Sequence, residues 1–99
     1  MEEATSSFIA ECFWPDVTDA QVAALETRIR AAAGKLKQAG EHVRYVGSIL
    51  MREDEVLLCQ FEGARDAVRR AAELAEVPFE RIIETANSPC SPSRNGGTK

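Results

Sequence analysis

Hydrophobic and polar positions along the chain alternate in blocks with two different periods. Ser7-Phe8-Ile9-Ala10-Glu11-Cys12-Phe13-Trp14 is an apolar, aromatic-rich run. Pro15-Asp16 stops it, because proline cannot donate to a ladder, and the run predicts a first strand. Thr18 then stands before a stretch of helical period. Val22, Leu25, Ile29, Ala32 or Ala33 and Leu36 recur at three- and four-residue steps. Gln21 completes a T-x-x-Q capping box with Thr18, and Val17 and Val22 are placed as a hydrophobic staple. The pattern predicts a helix from Asp19 that stops by Gly40, with Glu26 and Arg30 paired at i,i+4 on its outside.

The second half repeats the theme. His42 to Met51 and Val56 to Glu62 are β-rich runs around the charged turn Arg52-Glu53-Asp54-Glu55, which predicts a hairpin. After Gly63, Ala64, Val68, Ala71, Ala72 and Ala75 share one helical face, with Asp66 and Arg70 paired outside, and Pro78 ends the helix. A face made almost entirely of alanine buries little area, so this helix is the weaker layer. Phe79 to Ala86 predicts a last strand whose register is open. Strand, helix, strand, strand, helix, strand with right-handed crossovers is the α+β, ferredoxin-like split β-α-β (βαββαβ) arrangement: a four-stranded antiparallel sheet with two helices on one face. The expected division is a flexible N-terminus at 1–6, one domain at 7–86, and a disordered tail at 87–99, where Ser-Pro pairs and Gly96-Gly97 leave nothing for a core.

Strand alternation then sorts the faces. On the third strand Leu57, Cys59 and Phe61 suit the helices, and on the first Phe8, Ala10, Cys12 and Trp14 oppose Ile9, Glu11 and Phe13. On the second, Val43, Tyr45, Gly47 and Ile49 oppose Arg44, Val46, Ser48 and Leu50. The uncovered face would carry Ile9, Phe13, Val46, Leu50, Val56 and Leu58 around Glu11, Arg44, Ser48 and Gln60. Such an apolar face marks a subunit interface or a ligand site. Ferredoxin-like domains commonly cover it by pairing into a dimeric α+β barrel, so a homodimer is expected.

Composition narrows the function classes. A chain of 99 residues, 44% apolar and 28% charged, makes one small domain. Sixteen acidic against twelve basic side chains give a formal charge of −4, and the basic ones line no stripe, which argues against nucleic acid. No apolar run reaches the roughly 18–20 residues of a membrane span, and the first residues lack a basic segment followed by an apolar one, so a cytoplasmic protein away from membranes is expected. Cys12 and Cys59 lie inside apolar runs as reduced core thiols do, and Cys90 lies between prolines in the tail, where nothing would activate it.

The stretches Phe8-Ile9-Ala10-Glu11 with Phe13-Trp14-Pro15, Tyr45-Val46-Gly47-Ser48, Val56-Leu57-Leu58-Cys59 and Val77-Pro78-Phe79-Glu80-Arg81-Ile82, in this order, resemble a family of small bacterial ferredoxin-like domains of unknown function that includes a nickel-binding protein. The resemblance runs from about Ser7 to Ala86. It implies a dimeric ferredoxin-like fold and, in at least one member, nickel at the dimer surface. The family's usual pattern has histidines where this chain carries Gly47 and Ala71. His42 is the only imidazole here, and one imidazole does not make a nickel site; no metal and no cofactor are therefore expected, with His42 as the sole candidate ligand if two subunits converge.

Among charged residues Glu11 stands out, mid-strand between Ile9 and Phe13, where a carboxylate could anchor a ligand or act as a general base. The structural alternative is a pairing with Arg44, Arg81 or Ser48. Ser48 has no candidate His-Asp partner in the sequence, so a nucleophilic triad is not expected. Two functions follow. In one, a homodimeric binding protein holds a small, partly apolar molecule with Glu11, Phe13, Arg44, Ser48, Leu58 and Gln60. In the other, the same pocket performs cofactor-independent isomerisation, cyclisation or oxygenation with Glu11 as base. Nickel binding, as in the family, is the third.

Overall fold

The computed structural model describes residues 6–85; the tail with Cys90, and all of the expected flexible N-terminus except Ser6, lie outside the described residues. Six elements follow in order: β1 (Ser6–Phe13), α1 (Asp19–Gln38), β2 (Val43–Met51), β3 (Val56–Gly63), α2 (Arg65–Leu74) and β4 (Arg81–Thr85). The strands form one antiparallel sheet in the order β2-β3-β1-β4, which is the ferredoxin-like topology, and the helices pack on one side of it. No helix among the described residues is long and apolar enough to cross a membrane.

The first helix begins as its sequence dictates. The Thr18 hydroxyl accepts from the Gln21 amide at 3.1 Å, and the Gln21 side chain accepts from the Thr18 amide at 2.8 Å, so two donors of the first turn are satisfied reciprocally. Leu25, Ile29, Ala32, Ala33 and Leu36 are buried. α2 departs from expectation at both ends. Ala64 is its exposed N-cap rather than a core residue, and Ala67 takes the buried place. The helix stops at Leu74, because Glu76 adopts a left-handed conformation (φ 59°) and turns the chain before Pro78 is reached.

Between sheet and helices lies the core: Phe8, Ala10 and Cys12 of β1, Leu57, Cys59 and Phe61 of β3, and the apolar faces of both helices, with Val77 beneath them. Alternation assigns β1 and β3 correctly, with Ala10 opposite Cys59 and Cys12 opposite Leu57. Gly63 closes β3 against the entry to β2. A Cβ there would lie 2.2 Å from the His42 carbonyl oxygen, so only glycine fits.

β2 breaks the simple alternation. Tyr45 pairs with Phe61 but Gly47 pairs with Gln60, so Val46 is an inserted residue and a β-bulge. Gly47 has φ 153°, a conformation that side chains resist, and glycine allows the bulge there. Beyond it the faces exchange: Ser48 and Leu50 lie opposite the buried Cys59 and Leu57, whereas Ile49 and Met51 lie opposite Leu58 and Val56. The expectation that Ser48 and Leu50 sit on the uncovered face and Ile49 on the covered one is therefore reversed, because one extra residue shifts every later side chain to the other side.

Candidate functional site

The uncovered face is a grid of rows crossing the sheet from β4 to β2. Its rows read Thr85, Ser7, Glu62, Arg44; then Ile83, Ile9, Gln60, Gly47; then Arg81, Glu11, Leu58, Ile49; and last Phe13, Val56, Met51. Phe13 is 53% exposed, Val46 and Ile49 each 47% and Met51 37%, a concentration of large apolar side chains with no layer over them among the described residues. β4 adds Ile83 here and turns Ile82 to the core, which fixes the register that the sequence left open.

Five of the expected site residues lie on this face. Glu11 sits at its middle, next to Leu58, and its carboxylate accepts from Arg81 Nε at 2.7 Å, so of the expected pairing partners it is Arg81 that meets it. Arg44 is on the far strand, two rows away, and donates to Glu62 at 2.7 Å and 3.2 Å. Gln60 lies between Ile9 and Gly47, and Phe13 caps the other end of the face. Beside the bulge is a depression of about 230 Å³ whose walls include Ser7, Ile9, Val46, Gln60, Glu62 and Thr85.

Ser48 is the sixth, and it is elsewhere. Its hydroxyl donates to Glu26 of α1 at 2.5 Å, and the same carboxylate oxygen accepts from the Tyr45 hydroxyl at 2.9 Å. The expected outward ion pair of Glu26 with Arg30 is replaced by this inward cluster. Arg30 instead lies over the Tyr45 ring, 5.5 Å from its centroid. The Ser48 hydrogen bond is the main reason the Glu26 carboxyl is held below its ordinary range, against the opposing effect of partial burial. Burial above all drives the Tyr45 phenol upward, so it stays a neutral donor. This arrangement pins α1 to the edge strand and completes the hydrogen bonding of three half-buried polar groups.

Chemistry elsewhere is limited. Cys12 and Cys59 are free, fully buried thiols, and the hydrogen bond with the Cys12 sulfur, followed by burial, raises Cys59 far above the range in which a thiolate forms. His42 is exposed at the entry to β2, and its carbonyl accepts from the Ala64 amide at 2.9 Å. Among the described residues no group of three or more His, Cys, Asp or Glu side chains is placed to hold a metal ion.

No family model matches this chain. No curated protein matches it either. Among solved structures it is similar to the crystal structure of SCO4226 from Streptomyces coelicolor A3(2), with a TM-score of 0.70 and 20% identity over 83% of this chain and 98% of that one. At that identity the likeness speaks to the backbone alone, and what it supports is the fold, a ferredoxin-like α+β domain.

Proposed function

We propose that the chain is one protomer of a small homodimeric binding protein, that two copies pair through the uncovered sheet face, and that a small, partly apolar ligand is held there. The observation that carries this reading is the exposure of Phe13, Val46, Ile49 and Met51 on one face, in company with Ile9, Val56, Leu58 and Ile83. An apolar sheet face of this kind gains stability by being covered. Its charges are already matched within the protomer, Glu11 by Arg81 and Arg44 by Glu62, so pairing the faces would bury no lone charge. The depression beside Val46 adds Gln60, Ser7 and Thr85 as polar groups to orient a bound molecule.

Binding is favoured over catalysis by the state of Glu11. Its Oε1 accepts from Arg81 Nε at 2.7 Å, which fixes the side chain in place while its other oxygen can still accept from a bound molecule, as suits an anchoring role. A cytoplasmic, reducing setting goes with the two free core thiols.

Native mass spectrometry of untagged protein, purified without added metal or chelator, tests both parts at once. A dimer carrying an organic mass is the expected spectrum. A bare dimer would keep the interface and remove the ligand, a nickel-sized increment would replace the organic ligand with the metal of the resembling family, and a bare monomer would refute the reading of the face.

A further inference from the structure

The depression beside the bulge has the features of half a site. At about 230 Å³ it falls below the roughly 300–1,000 Å³ of complete small-molecule pockets, and a sheet face can wall a bound molecule from one side only. Ile9 and Val46 give it apolar walls, and Gln60 lies between them in the sheet. Among the described residues the Gln60 carboxamide has no hydrogen-bond partner. Its neighbour in the row on β2 is Gly47, the glycine that allows the bulge, where a Cβ would meet nothing within 4 Å, so the space beside Gln60 stays open.

The charges of the face set what can enter. Its rows carry two carboxylates, Glu11 and Glu62, and two guanidiniums, Arg81 and Arg44, each paired within the protomer. The face is thus neutral on a chain of formal charge −4, which suits a second copy of the same face and not a strongly charged partner. Among the described residues Glu62 is the one ionised group lining the depression, and its Oε1 accepts twice from Arg44. A charged ligand would enter without a counter-ion, and once two faces closed over it the loss of hydration would go uncompensated. For Gln60 the same closure has the opposite consequence. It would strip water from a carboxamide and give it no partner, unless a molecule in the depression meets it.

We infer that the depression holds an uncharged molecule with a lactam or similar amide edge, read by the donor and acceptor of Gln60, and that the partner's sheet face closes the site. A carboxamide presents its N–H and C=O side by side, and a cis-amide edge returns the complementary pair. The inference rests on the proposed pairing of two copies and adds to it a ligand class and a linkage, because a ligand that needs the partner's wall must also strengthen the dimer.

The test uses 2-quinolinone, a neutral aromatic lactam, in amide chemical-shift titrations of the full chain. N-methyl-2-quinolinone, which lacks the N–H, and quinoline-2-carboxylate, which adds a charge, are the controls, and sedimentation velocity on the same samples reports assembly. A wild-type dimer with saturable lactam shifts at the Gln60 side-chain amide, Ile9 and Val46 is expected, each control binding about tenfold more weakly. Gln60→Leu should keep the dimer and bind the lactam about tenfold more weakly. Phe13→Lys, at the far end of the face from the depression, should lose the response together with the dimer. A dimer that gives no saturable response, binds the carboxylate equally well, or is unaffected by Gln60→Leu would overturn the inference and leave the pairing standing. So would a dissociated Phe13→Lys protein that binds the lactam as wild type does. A wild-type monomer would overturn the pairing itself, and the inference with it.

Discussion

The two faces of the sheet are made by alternate residues of the same strands, and they solve opposite problems. On the covered face Phe8, Ala10, Cys12, Leu57, Cys59 and Phe61 are all at most 2% exposed and meet the apolar sides of α1 and α2. The uncovered face interleaves apolar side chains with the pairs Glu11–Arg81 and Arg44–Glu62 and leaves Phe13 half exposed. The first face is a finished core, whose value lies in close packing. The second mixes exposed apolar side chains with matched ion pairs, and it is this mixture on which the proposed pairing of two copies rests. β2 belongs to both in turn, since the bulge at Val46 passes its side chains from one face to the other.

Four substitutions probe the difference between the faces. Phe61→Ala, which empties a fully buried site on the covered face, should lower stability by about 3–5 kcal/mol in urea unfolding, through lost burial and the cavity left behind. Gly47→Val forces a β-branched residue into the bulge conformation and should cost roughly 2–3 kcal/mol, with loss of the Ser48–Glu26 contact visible as a shift of the Ser48 amide. Glu26→Gln removes a charged acceptor from two hydroxyls and should cost about 1–2 kcal/mol at neutral pH. The folded protein holds this carboxyl below its unfolded value, so its stabilisation is full above the ordinary value of 4.5 and is lost as the pH falls through the lowered folded value. The difference between wild type and Glu26→Gln should therefore shrink in acid unfolding series, and a difference that grew would contradict the assignment. Ile49→Ser, one residue from the half-buried Leu50 but on the uncovered face, should change the unfolding free energy of dilute protein by less than about 0.5 kcal/mol.

Much of this architecture is legible in the residues themselves, where each signal is local. Thr18 and Gln21 mark the start of α1, and uninterrupted alternation sorts β1 and β3 without error. β2 departs from simple alternation because alternation holds only while pairing is one to one. The warning was present in Gly47, an isolated glycine inside a strand pattern, which marks a bulge as often as a weak strand position. The misplacement of Ser48 and Leu50, and the missed cluster of Ser48 and Tyr45 with Glu26, follow from that single residue. Glu26, expected on the outside of α1 beside Arg30, lies at the border of the buried stripe, and the helical pattern carries no sign of the β2 hydroxyls that draw it inward. The partner of Glu11 is also beyond local reading, since Arg81 comes from β4, whose register depends on pairing with β1 across the chain.

Phe13 and Leu74 offer a matched pair for the central claim, because they are exposed almost equally, 53% and 54%, but Phe13 belongs to the uncovered sheet face and Leu74 to the helical layer. Sedimentation velocity of wild type, Phe13→Lys and Leu74→Lys over a range of concentrations would compare them directly. The expected result is a wild-type dimer that Phe13→Lys dissociates and Leu74→Lys leaves intact. A wild-type monomer at every concentration, or a dimer lost only with Leu74→Lys, would contradict it.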